Sequence, residues 1–318
     1  LTTRRQRQMC IRDSRERVLP TEIPFNRNFE VNYGEIENVA PGIRRITANN
    51  PSPFTFRGTG TYILGEGNVA VIDPGPDQPE HVKAIVEGLK NETISHILIT
   101  HTHNDHSPAA KALKEITGAP TFGFGPHGSG KPGLKLTSQA GGDMDFRPDE
   151  KTQDGSVIYG DDWSVSCLHT PGHTSNHICF SWDEEKVLFP GDQVMGWSTS
   201  IVSPPDGDMG DYMRSLDKLI VRDDKIYYPA HGPEILEPQK LISAFQDHRR
   251  EREENILECL KLGNDTIDQM VKTVYQDVSE SLHAAAARSL FATVIYLVEQ
   301  KKVEAIDGLD IDGRYVLM

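Results

Sequence analysis

Thr100-His101-Thr102-His103-Asn104-Asp105-His106 is the stretch on which the reading of this chain turns. Within it, His101, His103, Asp105 and His106 are four side chains able to ligate a metal. They follow directly on Ile97-Leu98-Ile99, an apolar run that reads as the end of a buried strand. Imidazole and carboxylate suit zinc-class cations, and a strand end holds such groups on a fixed frame. A lone His-x-His pair arises by chance on protein surfaces. His-x-His-x-Asp-His is far more specific, because it supplies donors for two ions at once.

Three later motifs repeat the arrangement: Thr170-Pro171-Gly172-His173-Thr174, Phe189-Pro190-Gly191-Asp192 and Pro229-Ala230-His231-Gly232. Each ends an apolar, β-like run (163–168, 186–189 and 225–228), with Gly or Pro beside the ligand candidate, where a strand breaks into a site loop. Four strand ends delivering these residues in this order, from about 50 to 232, resemble the metallo-β-lactamase superfamily. The resemblance implies an α/β protein, a four-layer αββα sandwich. It implies that His101, His103 and His173 hold one divalent ion, that Asp105, His106 and His231 hold a second, and that Asp192 bridges them. Zinc is the expected metal, with iron or manganese as alternatives, since His/Asp sites accept several divalent ions according to supply. Such a pair activates water and polarises a carbonyl or phosphoryl oxygen, so hydrolysis of an ester, thioester, amide or phosphodiester is expected. Asp105 is the residue expected to orient the water and carry its proton.

Other residues are placed around this centre with two readings each. Asp73, in Val71-Ile72-Asp73-Pro74-Gly75, fits a carboxylate that fixes ligand orientation by hydrogen bonding, or a turn-forming Asp. His177 either faces substrate or is a satisfied structural histidine, and His169 reads as a packing residue. Trp197, in the segment after Asp192, either contacts substrate or packs beneath its loop. Gly125 to Lys131 has the spacing of a phosphate-binding loop, but Pro132 stands where Ser or Thr would reach Mg²⁺, which excludes nucleotide binding. Residues 123–155, rich in Gly and charge, are expected to form a mobile loop near the site mouth.

The formal charge is −14 over 318 residues. Residues 1–18 carry six arginines against Asp13 and Glu16, and Met9-Cys10-Ile11-Arg12-Asp13-Ser14 resembles a translated library adaptor. This head is expected to be non-native or disordered, the rival being a basic targeting or nucleic-acid arm. No apolar run approaches the ~20 residues that span a bilayer, so no membrane partner is expected. Four cysteines without Cys-x-x-Cys spacing suggest reduced thiols and a cytoplasmic location. The expected organisation is a head at 1–18, a catalytic domain at 19–236 and a smaller domain at 237–318.

That last part begins with a charged helical segment at 238–262, whose run Arg249-Arg250-Glu251-Arg252-Glu253-Glu254 suggests a solvated face of short-range ion pairs. Helical patterns at 266–275 and 282–300 follow, then a small hairpin at 303–317. Three helices and a hairpin resemble the winged-helix appendage of β-lactamase-like endoribonucleases. That likeness makes single-stranded RNA a candidate partner, beside a small-molecule ester or thioester of the kind taken by hydroxyacylglutathione hydrolase. Two features weigh against RNA. Gly60 stands where the RNA-cleaving branch has Asn, and the 237–318 segment has ten basic against fifteen acidic residues, whereas a nucleic-acid module usually shows a basic face. The winged-helix-like part is therefore expected to pack or dimerise, and a homo-oligomer stays open.

Overall fold

The computed structural model describes residues 21–131, 141–275 and 283–318. The expectations for the head at 1–18, and for part of the glycine-rich loop, lie outside the described residues.

The first sheet runs in the order β1 (Ile36–Ala40), β2 (Ile43–Thr47), β3 (Gly60–Leu64), β4 (Asn68–Ile72), β5 (Thr93–Leu98), β6 (Thr121–Gly123) and β7 (Glu150–Lys151). Strands β3 and β4 form an antiparallel hairpin turning through Gly65-Glu66-Gly67, with Gly65 and Gly67 at positive φ. From β4 onward the pairing becomes parallel, with α1 (Pro79–Gly88) crossing to β5 and α2 (Ala109–Thr117) crossing to β6. Parallel strands need such crossovers, and the helices cover one face of the sheet. The core on this face joins Ile63, Val69 and Val71 to Ile85 of α1 and Leu113 of α2.

The second sheet runs β12-β11-β10-β9-β8, formed by β8 (Val157–Tyr159), β9 (Ser164–His169), β10 (Ile178–Trp182), β11 (Val187–Phe189) and β12 (Ile226–Tyr227). Its inner face packs on the first sheet through Tyr62, Ile72, Leu98, Val165, Phe180 and Phe189. Its outer face is covered by α3 (Met209–Ile220) and the first half of α4 (Pro238–Lys261). Helix, sheet, sheet, helix is the four-layer order. Strand β10 is buried at all five positions, which follows from having a sheet on one side and helices on the other.

Topology places the candidate loops together. Strands β9 and β11 both run antiparallel to β10, and β12 runs parallel to β11. The C-terminal ends of β9, β11 and β12 therefore point the same way, and the chain leaves them into His173, Asp192 and His231.

Helix α4 spans 24 residues, about 36 Å at 1.5 Å per residue. Leu241, Ile242 and Phe245 belong to the sandwich, whereas Ile256, Cys259 and Leu260 belong to a separate core. That second core is completed by α5 (Ile267–Val274), α6 (His283–Glu299) and the hairpin of β13 (Val303–Ala305) with β14 (Tyr315–Leu317). Thr266 starts α5 with a capping box, its hydroxyl receiving the Gln269 amide. The boundary expected at 236/237 falls at the start of α4, a helix shared between both cores. One local expectation is corrected. Arg249 is not on a solvated face: it is buried, lies 5.0 Å from the Tyr212 ring and donates to the Ser200 carbonyl at 2.5 Å. Among the described residues, no helix is long and apolar enough to cross a membrane.

Candidate metal centre

The seven ligand candidates lie together in two sets. His101, His103, His173 and Asp192 form one, and Asp105, His106 and His231 form the other; in each, one donor atom per residue lies within 4.8 Å of the rest. In the first set His103 Nδ1 is 3.0 Å from both His101 Nε2 and His173 Nε2. In the second, His231 Nε2 is 3.2 Å and His106 Nε2 3.4 Å from Asp105 Oδ2. Asp192 lies between them: its Oδ2 is 3.6 Å from His173 Nε2 and 3.5 Å from His106 Nε2, and its Oδ1 is 3.3 Å from His231 Nε2.

Each remaining imidazole nitrogen that the structure pairs is turned outward. His173 Nδ1 donates to the Ile201 carbonyl at 2.6 Å and His231 Nδ1 to the Gly58 carbonyl at 3.2 Å. His106 Nδ1 donates to Asp73 Oδ2 at 3.0 Å. The Thr100 hydroxyl donates to that same Asp73 oxygen at 2.6 Å and accepts from His101 Nδ1 at 3.0 Å. With protons committed outward, the inner nitrogens of His101, His106, His173 and His231 present lone pairs to the centre. His106 Nε2, His231 Nε2 and Asp192 Oδ1 are buried without a hydrogen-bond partner. Orphaned buried acceptors are costly, and lone pairs facing one another repel unless something positive lies between them. The donor set therefore fits two divalent cations.

Electrostatics agree. Burial, followed by the neighbouring His173, pushes the His103 imidazole down to about 3, so a proton is a poor occupant of the first set. Burial also opposes charge on Asp105 and Asp192, yet His106 and His231 hold both carboxyls well below the usual range. In return, and against its own burial, His231 is pushed up to about 10 by Asp192 and Asp105. The same two carboxylates raise His106 well above its ordinary value against its burial, so without metal the second set holds protons to balance its carboxylates. Binding a cation there must displace at least one proton, so affinity is expected to rise about tenfold or more per pH unit between pH 7 and 8.5. Competition against a chromogenic chelator would measure this, and a pH-independent affinity would contradict it.

Asp73 is buried at a positive φ of 47°, where its carboxylate also accepts the Thr100 amide at 2.8 Å. Thr61 donates to the Asp73 carbonyl at 2.7 Å and is itself 2.9 Å from His81 Nε2, a histidine that burial lowers to about 4. His177 does not face the cleft. Its Nε2 accepts the Asp192 amide at 3.3 Å and its Nδ1 donates to Thr170 Oγ1 at 2.9 Å, so it backs the loop carrying Asp192. Trp197 stacks on Phe56 at 4.9 Å, and its ring lies close against Gly232, beside His231. His169 stacks on Phe124 at 4.1 Å and bonds the Ser175 carbonyl at 3.0 Å. Gly60 donates its amide to the Ala230 carbonyl at 2.7 Å, tying β3 to the His231 loop.

Gly191 and Gly172 are required by close approach. A Cβ on Gly191 would lie 2.8 Å from both His177 Nε2 and Thr100 Oγ1, at a φ of +50°. A Cβ on Gly172 would lie 2.4 Å from the Tyr212 backbone. Gly191→Ala should therefore displace Asp192 and cost about 10–100-fold or more in metal affinity, as loss of a supporting contact does. Equilibrium dialysis of the refolded variant checks this, and wild-type affinity would refute it.

Residues 55–231, more than half the chain, match the model of the metallo-beta-lactamase superfamily, and residues 266–311 match the beta-lactamase associated winged helix domain. The chain belongs to the metallo-β-lactamase superfamily. A beta-lactamase-like protein 2 homolog of Drosophila melanogaster is 30% identical over 290 residues, 86% of this chain and 94% of that protein. An atrochrysone carboxyl ACP thioesterase of Aspergillus chevalieri is 28% identical over 272 residues, 82% of each chain. Among solved structures, a metallo-beta-lactamase family protein of Thermus thermophilus superposes with a TM-score of 0.71 at 21% identity, covering 88% of this chain and 100% of its own. As a superfamily member with thioesterase-named relatives, the chain is a hydrolase.

Several contributors to the centre carry no sequence signal. The Ile201 and Gly58 carbonyls orient two histidines through backbone atoms. Ser200, whose hydroxyl donates to the Asp192 carbonyl at 2.6 Å, lies in an ordinary polar run. Thr100 and Thr61 could have been found only through their position at strand ends beside the ligand loop and Asp73.

Proposed function

We propose that this superfamily hydrolase is a dinuclear enzyme acting on acyl thioesters. The observation carrying the dinuclear reading is Asp192, whose carboxylate lies 3.6 Å from His173 of one ligand set and 3.5 and 3.3 Å from His106 and His231 of the other. His101, His103 and His173 would hold one cation and Asp105, His106 and His231 the other. When bound, two such cations supply Lewis acidity and lower the pKa of water. The protein's own part is to hold lone pairs inward through Asp73, Thr100, Gly58 and Ile201, and to keep the cluster rigid. Asp105 is a quarter open to solvent, against a tenth or less for the histidines paired with it. This exposure supports Asp105 as the group that would orient water, take its proton and return it to the departing thiol.

The thioester half of the proposal draws on the relatives named as acyl-carrier-protein thioesterases, aligned over most of both chains. Charge favours it over RNA. The 237–318 segment is net acidic, so long-range attraction to a polyanion is lacking. Parallel assays on acylpantetheine, acylglutathione, a lactone and single-stranded RNA, each repeated with Asp192→Ala, test the assignment. Thioester cleavage lost in the variant is the expected result. Metal-dependent cleavage of RNA alone would replace this reading with the nuclease one.

A further inference from the structure

A cavity of about 240 Å³ lies where the sandwich meets the winged-helix module. One wall is Lys131 with the 204–209 loop, and the other is α6 through Phe291, Ile295, Tyr296 and Glu299. We propose that this cavity binds the amide-bearing arm of the substrate's thiol half, making the winged-helix module a specificity element. The inference rests on the thioester reading above.

Its position connects it to the metal centre. The Asp208 amide donates to the Gly172 carbonyl at 2.9 Å. Asp206 accepts from the Ser175 amide at 3.1 Å and the Ser175 hydroxyl at 2.5 Å. On the Lys131 side, Gly130 packs so tightly that a Cβ would come within 1.8 Å of the Ser175 carbonyl oxygen. The catalytic-domain wall is thus bonded to residues on both sides of His173. A ligand seated in the cavity leans against the 204–209 loop, which is itself bonded to the turn that presents this histidine.

Size and chemistry narrow the occupant. A volume of about 240 Å³ is below the roughly 300–1,000 Å³ of a site that encloses a whole ligand. The cavity therefore takes a segment of a larger molecule. Its surface is mostly apolar, from Met209, Phe291, Ile295 and Leu309, but Lys131 Nζ and Asp208 Oδ2, 3.1 Å apart, border it together with Glu299. A bare hydrocarbon chain would desolvate the Lys131–Asp208 pair and Glu299 and give no hydrogen bond in return. A phosphate would meet Asp208 and Glu299 against the Lys131 ammonium, while nearby Arg214 is paired with Asp211 at 2.6 Å. An uncharged segment with methylenes and amides satisfies all three, its carbonyl accepting from Lys131 and its N–H groups donating to Asp208 and Glu299. Burial and the adjacent Asp208 carboxylate raise the Glu299 carboxyl, in keeping with a place that favours a donor.

The test uses the full-length, metal-loaded protein and S-methylpantetheine, whose capped sulfur does not compete as a thiolate ligand. Calorimetry should show saturable binding, weakened at least tenfold by Ile295→Trp, which fills the cavity. Lys131→Gln, at a partly exposed position that spares the core, should weaken it about tenfold through loss of a charged hydrogen bond. The same two variants should lower the ratio of kcat/KM for acetylpantetheine to that for the armless S-ethyl thioacetate by a similar factor. Absence of saturable binding by the wild type, or binding unchanged in both variants, overturns the cavity assignment. Binding that behaves as expected in a protein that hydrolyses no thioester overturns the thioester reading instead, and leaves the cavity's preference for an amide-bearing arm standing.

Discussion

Asp192→Ala is expected to abolish hydrolysis and to release both cations. Its carboxylate is within 3.6 Å of His173 in one set and of His106 and His231 in the other, whereas Asp105 approaches only His106 and His231, so no other carboxylate reaches both sets. Loss of an orienting hydrogen bond near a metal costs roughly 10–100-fold, and loss of a shared ligand exceeds that, so a fall of about 10³-fold or more in kcat/KM is expected. Metal analysis should drop from two ions per chain to less than one. The fold should survive, because the alanine leaves the Ser200 bond to the residue 192 carbonyl and the His177 bond to its amide in place. Near wild-type activity would remove Asp192 from the centre.

Stripping the metals should have the second large effect, on stability as well as rate. The centre collects two carboxylates and five imidazoles, most of them buried. A ligand present at a thousand times its Kd stabilises the native state by about 4 kcal/mol, or roughly 8–16 °C in Tm for a chain of this order of size. Dialysis against a chelator should therefore lower Tm by roughly that amount per ion, and zinc should restore both Tm and activity. The loss should deepen with rising pH. His231, raised from 6.5 to about 10 in the metal-free protein, is charged at pH 7 only in the folded state, so the stability it contributes beside Asp105 and Asp192 falls as pH rises from 6.5 toward 10. A metal-free protein with unchanged Tm across pH 7 to 9 would contradict this account.

Much of this centre is legible in the sequence because its ligands are contiguous with strand ends. His101, His103, Asp105 and His106 follow β5 within a few residues, and each later ligand sits beside a Gly or Pro that breaks its strand. The support around them is less legible for a physical reason. His173 and His231 are oriented by the carbonyls of Ile201 and Gly58, and a carbonyl is the same in every residue type. Arg249 misleads because i, i+3 and i, i+4 charge patterns describe a solvated helix face, whereas its partner is the Ser200 carbonyl, 49 positions away. Sequence leaves His177 between two roles, since only the fold brings the Asp192 amide to its ring. Strands β1, β2, β6, β7 and β8 give no readable pattern. Four of them are short or exposed, so they show little alternation, and β2, with Arg44 and Arg45 between buried isoleucines, reads as polar until the fold pairs Arg45 with Glu37 at 2.8 Å and Arg44 with Glu92.

The winged-helix module follows the same logic at larger scale. Its helices and hairpin are periodic and capped, so they are readable, but its relation to the sandwich depends on α4 passing through both cores. That shared helix also places α6 opposite the 204–209 loop, creating a cavity no local pattern announces.

The central claim is that two cations sit on either side of Asp192. Anomalous diffraction at the zinc absorption edge, from crystals of the metal-loaded protein, tests it most directly. The account predicts two peaks, one enclosed by His101, His103 and His173 and the other by Asp105, His106 and His231, with Asp192 touching both. A single peak, or peaks that leave Asp192 out of contact, would contradict it.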